Sequence, residues 1–286
     1  MVKIGLIDIE PKIFNTAYMQ ISQYHKNKGD TVGWWSPLTD NQFDHIYCSS
    51  LFDFTDKSEV PKRAITGGTG FDLTSRLSID IEKSGFDYSI YPKCKTRYMW
   101  FSKGCIRSCP FCCVSKKEGN IYPCLLGGGK IDSKLITICD NNFFANPNLW
   151  VAKAACEGFC NAGYLLDFQG VDARLLTVED CKWLVKLKHY KQIKIAWDNP
   201  KENILPKLKL ITKYIKPYKL MCYVLIGYWS TPEEDLYRVE SLRKLKIDPF
   251  AMPYNKTAPY QKNFARWVNH KATFKTVSWK DYKKTF

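Results

Sequence analysis

The sequence predicts an α/β fold in two parts, a small Rossmann-like parallel-sheet domain over residues 1–92 and a partial (β/α)6 TIM-type barrel over residues 93–255. A basic, aromatic extension follows over 256–286. Three observations carry this expectation. Short β-branched apolar runs alternate with stretches of helical spacing. The alternation restarts on a longer repeat from about residue 96. Capping residues and Gly or Pro punctuate the joints between elements. At 286 residues and 45% hydrophobic content, the chain has enough apolar material for one large core or two modest ones, which excludes wholesale disorder.

Residues 3–9 form the first strand candidate, and Asn15 to Lys28 follow with helical spacing that ends at Gly29. Asp44 to Ser49 reads as another strand, Gly67-Gly68-Thr69-Gly70 as a turn, and Asp87 to Tyr91 as the lead into the next segment. No G-x-G-x-x-G follows the first strand, so a dinucleotide site is not supported. In the second part, Arg97 to Ser102 is a strand that runs directly into a cysteine-rich loop. Leu135 to Asp140, Tyr164 to Phe168, Ile193 to Asp198, Leu220 to Gly227 and Pro249 to Pro253 are the strands after it. Helices are expected near Pro147 to Glu157, from Val178 to Leu187 behind the Thr177 cap, up to Lys216, and from Thr231 to Leu245 behind Thr231-Pro232-Glu233-Glu234. Six strands and five connections make about three-quarters of a full barrel, in which chemistry sits where strands end.

The longest apolar stretch, Leu220 to Trp229, is about half a membrane span. The apolar run at Met1 to Asp8 is too short for a signal peptide. The chain therefore reads as a cytoplasmic protein with no membrane partner. Its net charge of +15 fits an anionic partner such as RNA, DNA or a phosphorylated substrate, and equally fits lysine used as the default solubilising residue. Twelve cysteines in a chain of this size do not suggest a disulfide framework. Only Cys105, Cys109, Cys112 and Cys113 crowd together; Cys156 and Cys160 are expected as core residues on a helix face. Gly127-Gly128-Gly129-Lys130-Ile131 lacks the Ser or Thr of a phosphate loop and reads as a flexible connection.

Cys105, Cys109 and Cys112 are spaced C-x3-C-x2-C in the loop after a strand. Three thiolates on one short loop can hold three corners of an iron–sulfur cubane and leave the fourth iron open. A structural zinc would need a fourth ligand, commonly from a second pair. No such pair exists, and His25, His45, His189 and His270 stand alone. The run Cys105-x3-Cys109-x-Phe111-Cys112 after the first barrel strand resembles the signature of radical S-adenosylmethionine (SAM) enzymes, over roughly residues 95–255.

The resemblance implies a [4Fe–4S] cluster on Cys105, Cys109 and Cys112, with SAM chelating the open iron through its amino and carboxylate groups. An electron from a reducing partner such as flavodoxin or ferredoxin would split SAM and yield a 5′-deoxyadenosyl radical that abstracts hydrogen. Carried over residue by residue, Phe111 would pack on the adenine, and Asp140, Asn141 and Asn142 would receive the ammonium. The family more often shows a Gly-Gly-Glu type motif at that place, and a plain turn is the competing reading. Asp172 would accept ribose hydroxyls and Arg174 would grip the carboxylate, against a competing structural ion pair under the helix at 178. Gly227 would let the backbone approach adenine, and Asp198 is a further candidate at a strand end.

The first 90 residues resemble the degenerate cobalamin-binding-type domain of one radical SAM branch. The Asp-x-His-x-x-Gly ligating pattern is missing, so the residues disfavour cobalamin, although members of that branch can hold it without a protein ligand. The leading domain of tRNA methylthiotransferases is also similar but uses three N-terminal cysteines, where this chain has only Cys48 and Cys94. In the tail, Lys256, Lys262, Arg266, Lys271, Lys275, Lys280, Lys283 and Lys284 interleave with Tyr260, Phe264, Trp267, Phe274 and Trp279. This pattern suits single-stranded nucleic acid, or aromatics that cover the barrel while lysines face solvent; covering is the favoured reading. The functional expectation is a radical SAM enzyme acting on an unidentified nucleoside, peptide or metabolite. The alternatives are a cobalamin-dependent radical SAM methyltransferase and a non-catalytic, basic, metal-binding nucleic-acid-binding module.

Overall fold

The computed structural model describes residues 1–282, and Lys283 and Lys284 of the tail lie outside them. The chain is α/β with mostly parallel sheets and divides into two compact units, Met1–Cys139 and Asp140–Phe286. Among the described residues no helix is long and apolar enough to cross a membrane.

The first unit opens with β1 (Lys3–Ile7), α1 (Thr16–Asn27), β2 (Thr31–Trp34), β3 (His45–Ser49) and β4 (Ile65–Gly67). These strands form one sheet in the order β2-β1-β3-β4, and every pairing is parallel. Asn15 caps α1 by accepting from Ala17 N, and its Nδ2 donates to Ser49 Oγ at 3.0 Å, which ties the helix start to the end of β3. Tyr18, Met19 and Ile21 bury against Ile4 and Leu6. The Tyr18 hydroxyl donates to Ile7 O and accepts from Ser49 N. β2 and β4 are additions to the sequence-based expectation. Each is short and contains a glycine, Gly33 or Gly67, which dilutes the apolar pattern.

After α2 (Ile79–Glu82), the unit continues with β5 (Arg97–Lys103), α3 (Val114–Lys117), β6 (Tyr122–Leu126) and β7 (Leu135–Ile138). β5 pairs parallel with β7 and antiparallel with β6, with a register shift between Trp100 and Ser102. Tyr98 and Trp100 pack into the cluster that holds Phe86, Tyr88 and Tyr91. That packing joins β5 to the N-terminal layer, so this unit extends beyond the residue 92 division suggested by sequence. β6 was hidden because Pro123 marks only an edge strand.

The second unit alternates regularly through α4 (Leu149–Asn161), β8 (Leu165–Phe168), α5 (Val178–Lys186), β9 (Ile193–Ala196), α6 (Leu205–Tyr214), β10 (Leu220–Ile226), α7 (Pro232–Lys244) and β11 (Asp248–Pro253). β9, β10 and β11 form a parallel sheet with β10 central. Thr177 and Thr231 both form capping boxes, with Asp180 and Glu234 as their partners. Three further helices, α8 (Pro259–Asn269), α9 (Lys271–Thr276) and α10 (Trp279–Tyr282), gather Phe264, Trp267 and Phe274 into the interior. Asn269 bonds both Ala251 N and Ala251 O, so α8 covers the free edge of β11. The tail aromatics therefore serve packing, and Lys262, Lys271, Lys275 and Lys280 stay exposed.

One side chain joins the ends of β9 and β10. Arg238, fully buried on α7, donates to Trp197 O at 2.8 Å, Asp198 O at 3.0 Å, Leu225 O at 2.9 Å and Asp235 Oδ1 at 2.6 Å. Burial pushes the Asp235 carboxyl up and the Arg238 guanidinium down, despite their contact. Removing the arginine strands three carbonyls and a carboxylate in the interior. Arg238→Ala should therefore cost about 3–5 kcal/mol in urea unfolding, and a loss below about 1 kcal/mol would show that water takes the place of the guanidinium.

Candidate metal and cofactor site

In the first unit, β5 delivers the chain into the cysteine loop, and the base of that loop is clamped. Gly104 has φ +74°, and a Cβ there would overlap Asn120 O, so glycine is required by both torsion and space. Gly104 N donates to Glu118 Oε2 at 2.8 Å and Cys105 N to Gly119 O at 3.2 Å. Cys112 N closes a turn on Cys109 O at 2.9 Å, and Lys117 N returns to Cys113 O as α3 begins. Lys117 Nζ bonds Asp72 O and Ser75 O, fixing the far side of the loop.

Cys105, Cys109, Cys112 and Phe111 are half-buried and Cys113 is exposed; none of the chain's cysteines is in a disulfide. Burial pushes the Cys112 thiol up, and the neighbouring Cys113, Cys109 and Cys105 sulfurs push it further. The sulfurs thus sense one another, and a bound cation would reverse that repulsion. Among the described residues, no three His, Cys, Asp or Glu side chains converge closely enough to hold a metal ion. The loop supplies the soft thiolate donors that an iron–sulfur cluster requires, gathered on one turn but not drawn together.

In the second unit, Asp140, Asn141 and Asn142 form a strap in which Asp140 and Asn142 are buried and Asn141 is half-buried. A Cβ on Gly170 would overlap Asp140 O and Asn141 O, and Phe143 N donates to Gly170 O at 3.0 Å. Two segments singled out from sequence, 140–142 and 170–174, are therefore in contact. Asn142 is 3% exposed, and its Oδ1 has no hydrogen-bond partner among the described residues. An orphaned buried acceptor fits an ammonium donor.

Arg174 lies against Asp172, with Nε 2.7 Å and Nη2 3.0 Å from its two carboxylate oxygens, and also contacts Glu202. An ion pair is therefore present, with Asp172 and Glu202 as partners; α5 takes no part in it. Burial pushes the Asp198 carboxyl up, against the Leu225 N–H and the charges of Arg238 and Arg174. Gly227 has φ +75°, and the Gln261 carboxamide fills the space where its side chain would stand. Gln261 Oε1 accepts from Asn255 N at 2.8 Å. The positive φ is what favours glycine at this position.

Sequence reasoning missed Glu202, Arg238 and Gln261. Only Arg238 had a signal, its i,i+3 spacing from Asp235 on α7.

Gly170→Ala should displace the strap and cost about 1–3 kcal/mol, as overpacking does. Gly158→Ala, on α4 with nothing within 4 Å of its added methyl, should stabilise by about 0.5–1 kcal/mol. Equal effects in urea titrations would contradict this reading of the strap. No family model matches this chain, and no curated protein shows significant similarity to it.

Proposed function

We propose that this chain is a radical SAM enzyme that binds a [4Fe–4S] cluster on Cys105, Cys109 and Cys112 and abstracts hydrogen from an organic substrate. The observation that carries the reading is the C-x3-C-x2-C set on a loop clamped at Gly104 and Cys105 directly after a parallel strand. The finer architecture proposed with it is a partial (β/α)6 barrel built from β5 and β7 through β11. A cytoplasmic setting and a flavodoxin- or ferredoxin-type electron donor belong to the same proposal.

Bound together, cluster and SAM supply an electron-driven C–S cleavage that yields a carbon radical strong enough to take hydrogen from a C–H bond. The chain's own part is binding and orientation. Cys105, Cys109 and Cys112 supply three thiolates, and half-burial limits water around them. Phe111, half-buried in the same loop, offers a ring for the adenine. Asn142 Oδ1 would accept from the ammonium of SAM, with Asp140 and Asn141 beside it in the strap that meets Gly170. Arg174, which pairs with Glu202 in the folded chain, would supply a guanidinium able to hold the SAM carboxylate. Asp172 orients Arg174 in this scheme, which leaves its role toward the ribose secondary.

Anaerobic reconstitution tests the reading. The wild-type chain should take up iron and sulfide at about four each and release 5′-deoxyadenosine from SAM on reduction. Cys109→Ala should lose both properties, and Cys181→Ala, a buried thiol on α5, should keep both. One tightly held zinc without SAM cleavage, or equal loss in the two variants, would overturn the proposal. In the reconstituted protein, Asn142→Ala should weaken SAM binding about tenfold or more, the usual cost of losing a hydrogen bond to a charged group. Unchanged affinity would remove Asn142 from the site.

A further inference from the structure

In the second unit, the end opposite the strand C-termini carries a surface that the proposed chemistry does not use. The parallel register sets Ile193 beside Leu220 and Met221 beside Asp248, so the starts of β9, β10 and β11 lie side by side. The segments that enter these strands carry Lys188 and Lys191, Lys216 and Lys219, and Lys244 and Lys246, all exposed. From Lys182 to Lys219 every exposed charged side chain is a lysine; Asp198 and Glu202, the acids in that span, are half-buried at the other end of the strands. Asp248 is half-buried and already held by Lys271 at 2.6 Å and Gln192 at 2.8 Å.

Exposed tyrosines stand among these lysines. Tyr190 is 46% exposed and Tyr218 is 63% exposed. Lys191 Nζ lies 5.1 Å from the Tyr190 ring centre, and on α5 and α6 Lys182 Nζ lies 5.9 Å from that of Tyr214. Gln192 Nε2 donates to Tyr218 O at 2.8 Å, which joins the segments before β9 and β10 into one face.

We propose that this face binds single-stranded nucleic acid. Lysines without competing acids attract a phosphodiester backbone, and exposed rings beside them offer stacking for unpaired bases. Duplex bases are already stacked and would leave the tyrosines unused. An acidic protein would need the lysines alone and gives no reason for the rings. The face stands apart from the cysteine loop's chemistry, so it holds or fails whatever cluster the chain carries.

Fluorescence anisotropy of the full chain with a labelled oligouridylate about 20 nucleotides long reads the binding directly. The triple variant Lys191→Gln, Lys216→Gln, Lys219→Gln should weaken it about tenfold and reduce the log–log salt slope by about 2. Tyr190→Ala with Tyr218→Ala should weaken binding about tenfold and leave the slope unchanged. Lys12→Gln, Lys62→Gln, Lys83→Gln, exposed lysines of the first unit, should change neither. Every substituted side chain is exposed, so thermal melts should match the parent. Absence of binding at low salt would overturn the proposal, as would an equal loss in the first-unit triple. Polyglutamate of matched charge binding as tightly as RNA, with the tyrosines irrelevant, would also overturn it and point to an acidic protein.

Discussion

Thiolates repel one another, and a loop that holds several of them half-buried keeps them charged only if a cation shares the space. That constraint governs the cysteine loop. Cys112 is pushed toward its protonated form by burial first and by three neighbouring sulfurs after it. The loop cannot relieve this by opening at its base, because Gly104 sits against Asn120 and the chain returns to Glu118 and Gly119. A site built in this way has a fixed frame and adaptable donors, which suits a group that is assembled in place and completes the fold around itself.

The second unit handles a different electrostatic demand. Where β9 and β10 end, carbonyl oxygens and carboxylates collect away from water, and a single buried guanidinium satisfies most of them. Asp198 stays shifted upward by burial even so. Elsewhere in the unit, among the described residues, the buried acceptor Asn142 Oδ1 has no hydrogen-bond partner. Arg243 Nε of the same unit is likewise buried without a partner, so Asn142 is singled out by its place in the strap against Gly170 and not by being a lone exception.

Much of the fold was legible in the sequence because it rests on local signals. β10 is a continuous apolar run, and Thr177 and Thr231 announce their helices with capping residues that the structure uses as caps. β6 was illegible because a proline in a short run argues against a strand unless the strand lies at an edge. The three cysteines could be singled out from residue type and spacing alone, and the structure places them on one clamped loop without drawing their side chains together. The site was not legible where meaning comes from contacts across the chain. Gly227 invites a cofactor in sequence, but in space its positive φ and the Gln261 carboxamide, 34 positions later, are what its backbone meets within the chain. Arg174 invites a carboxylate ligand, and the folded chain already supplies two, from Asp172 and Glu202.

The most direct test of the central claim is Mössbauer spectroscopy of the full chain loaded anaerobically with isotope-enriched iron and sulfide, recorded with and without SAM. A cluster held by three cysteines has one iron without a protein ligand, so a single iron subsite should change its isomer shift when SAM is added. Iron subsites that all ignore SAM, or a chain that assembles no cubane at all, would contradict the account.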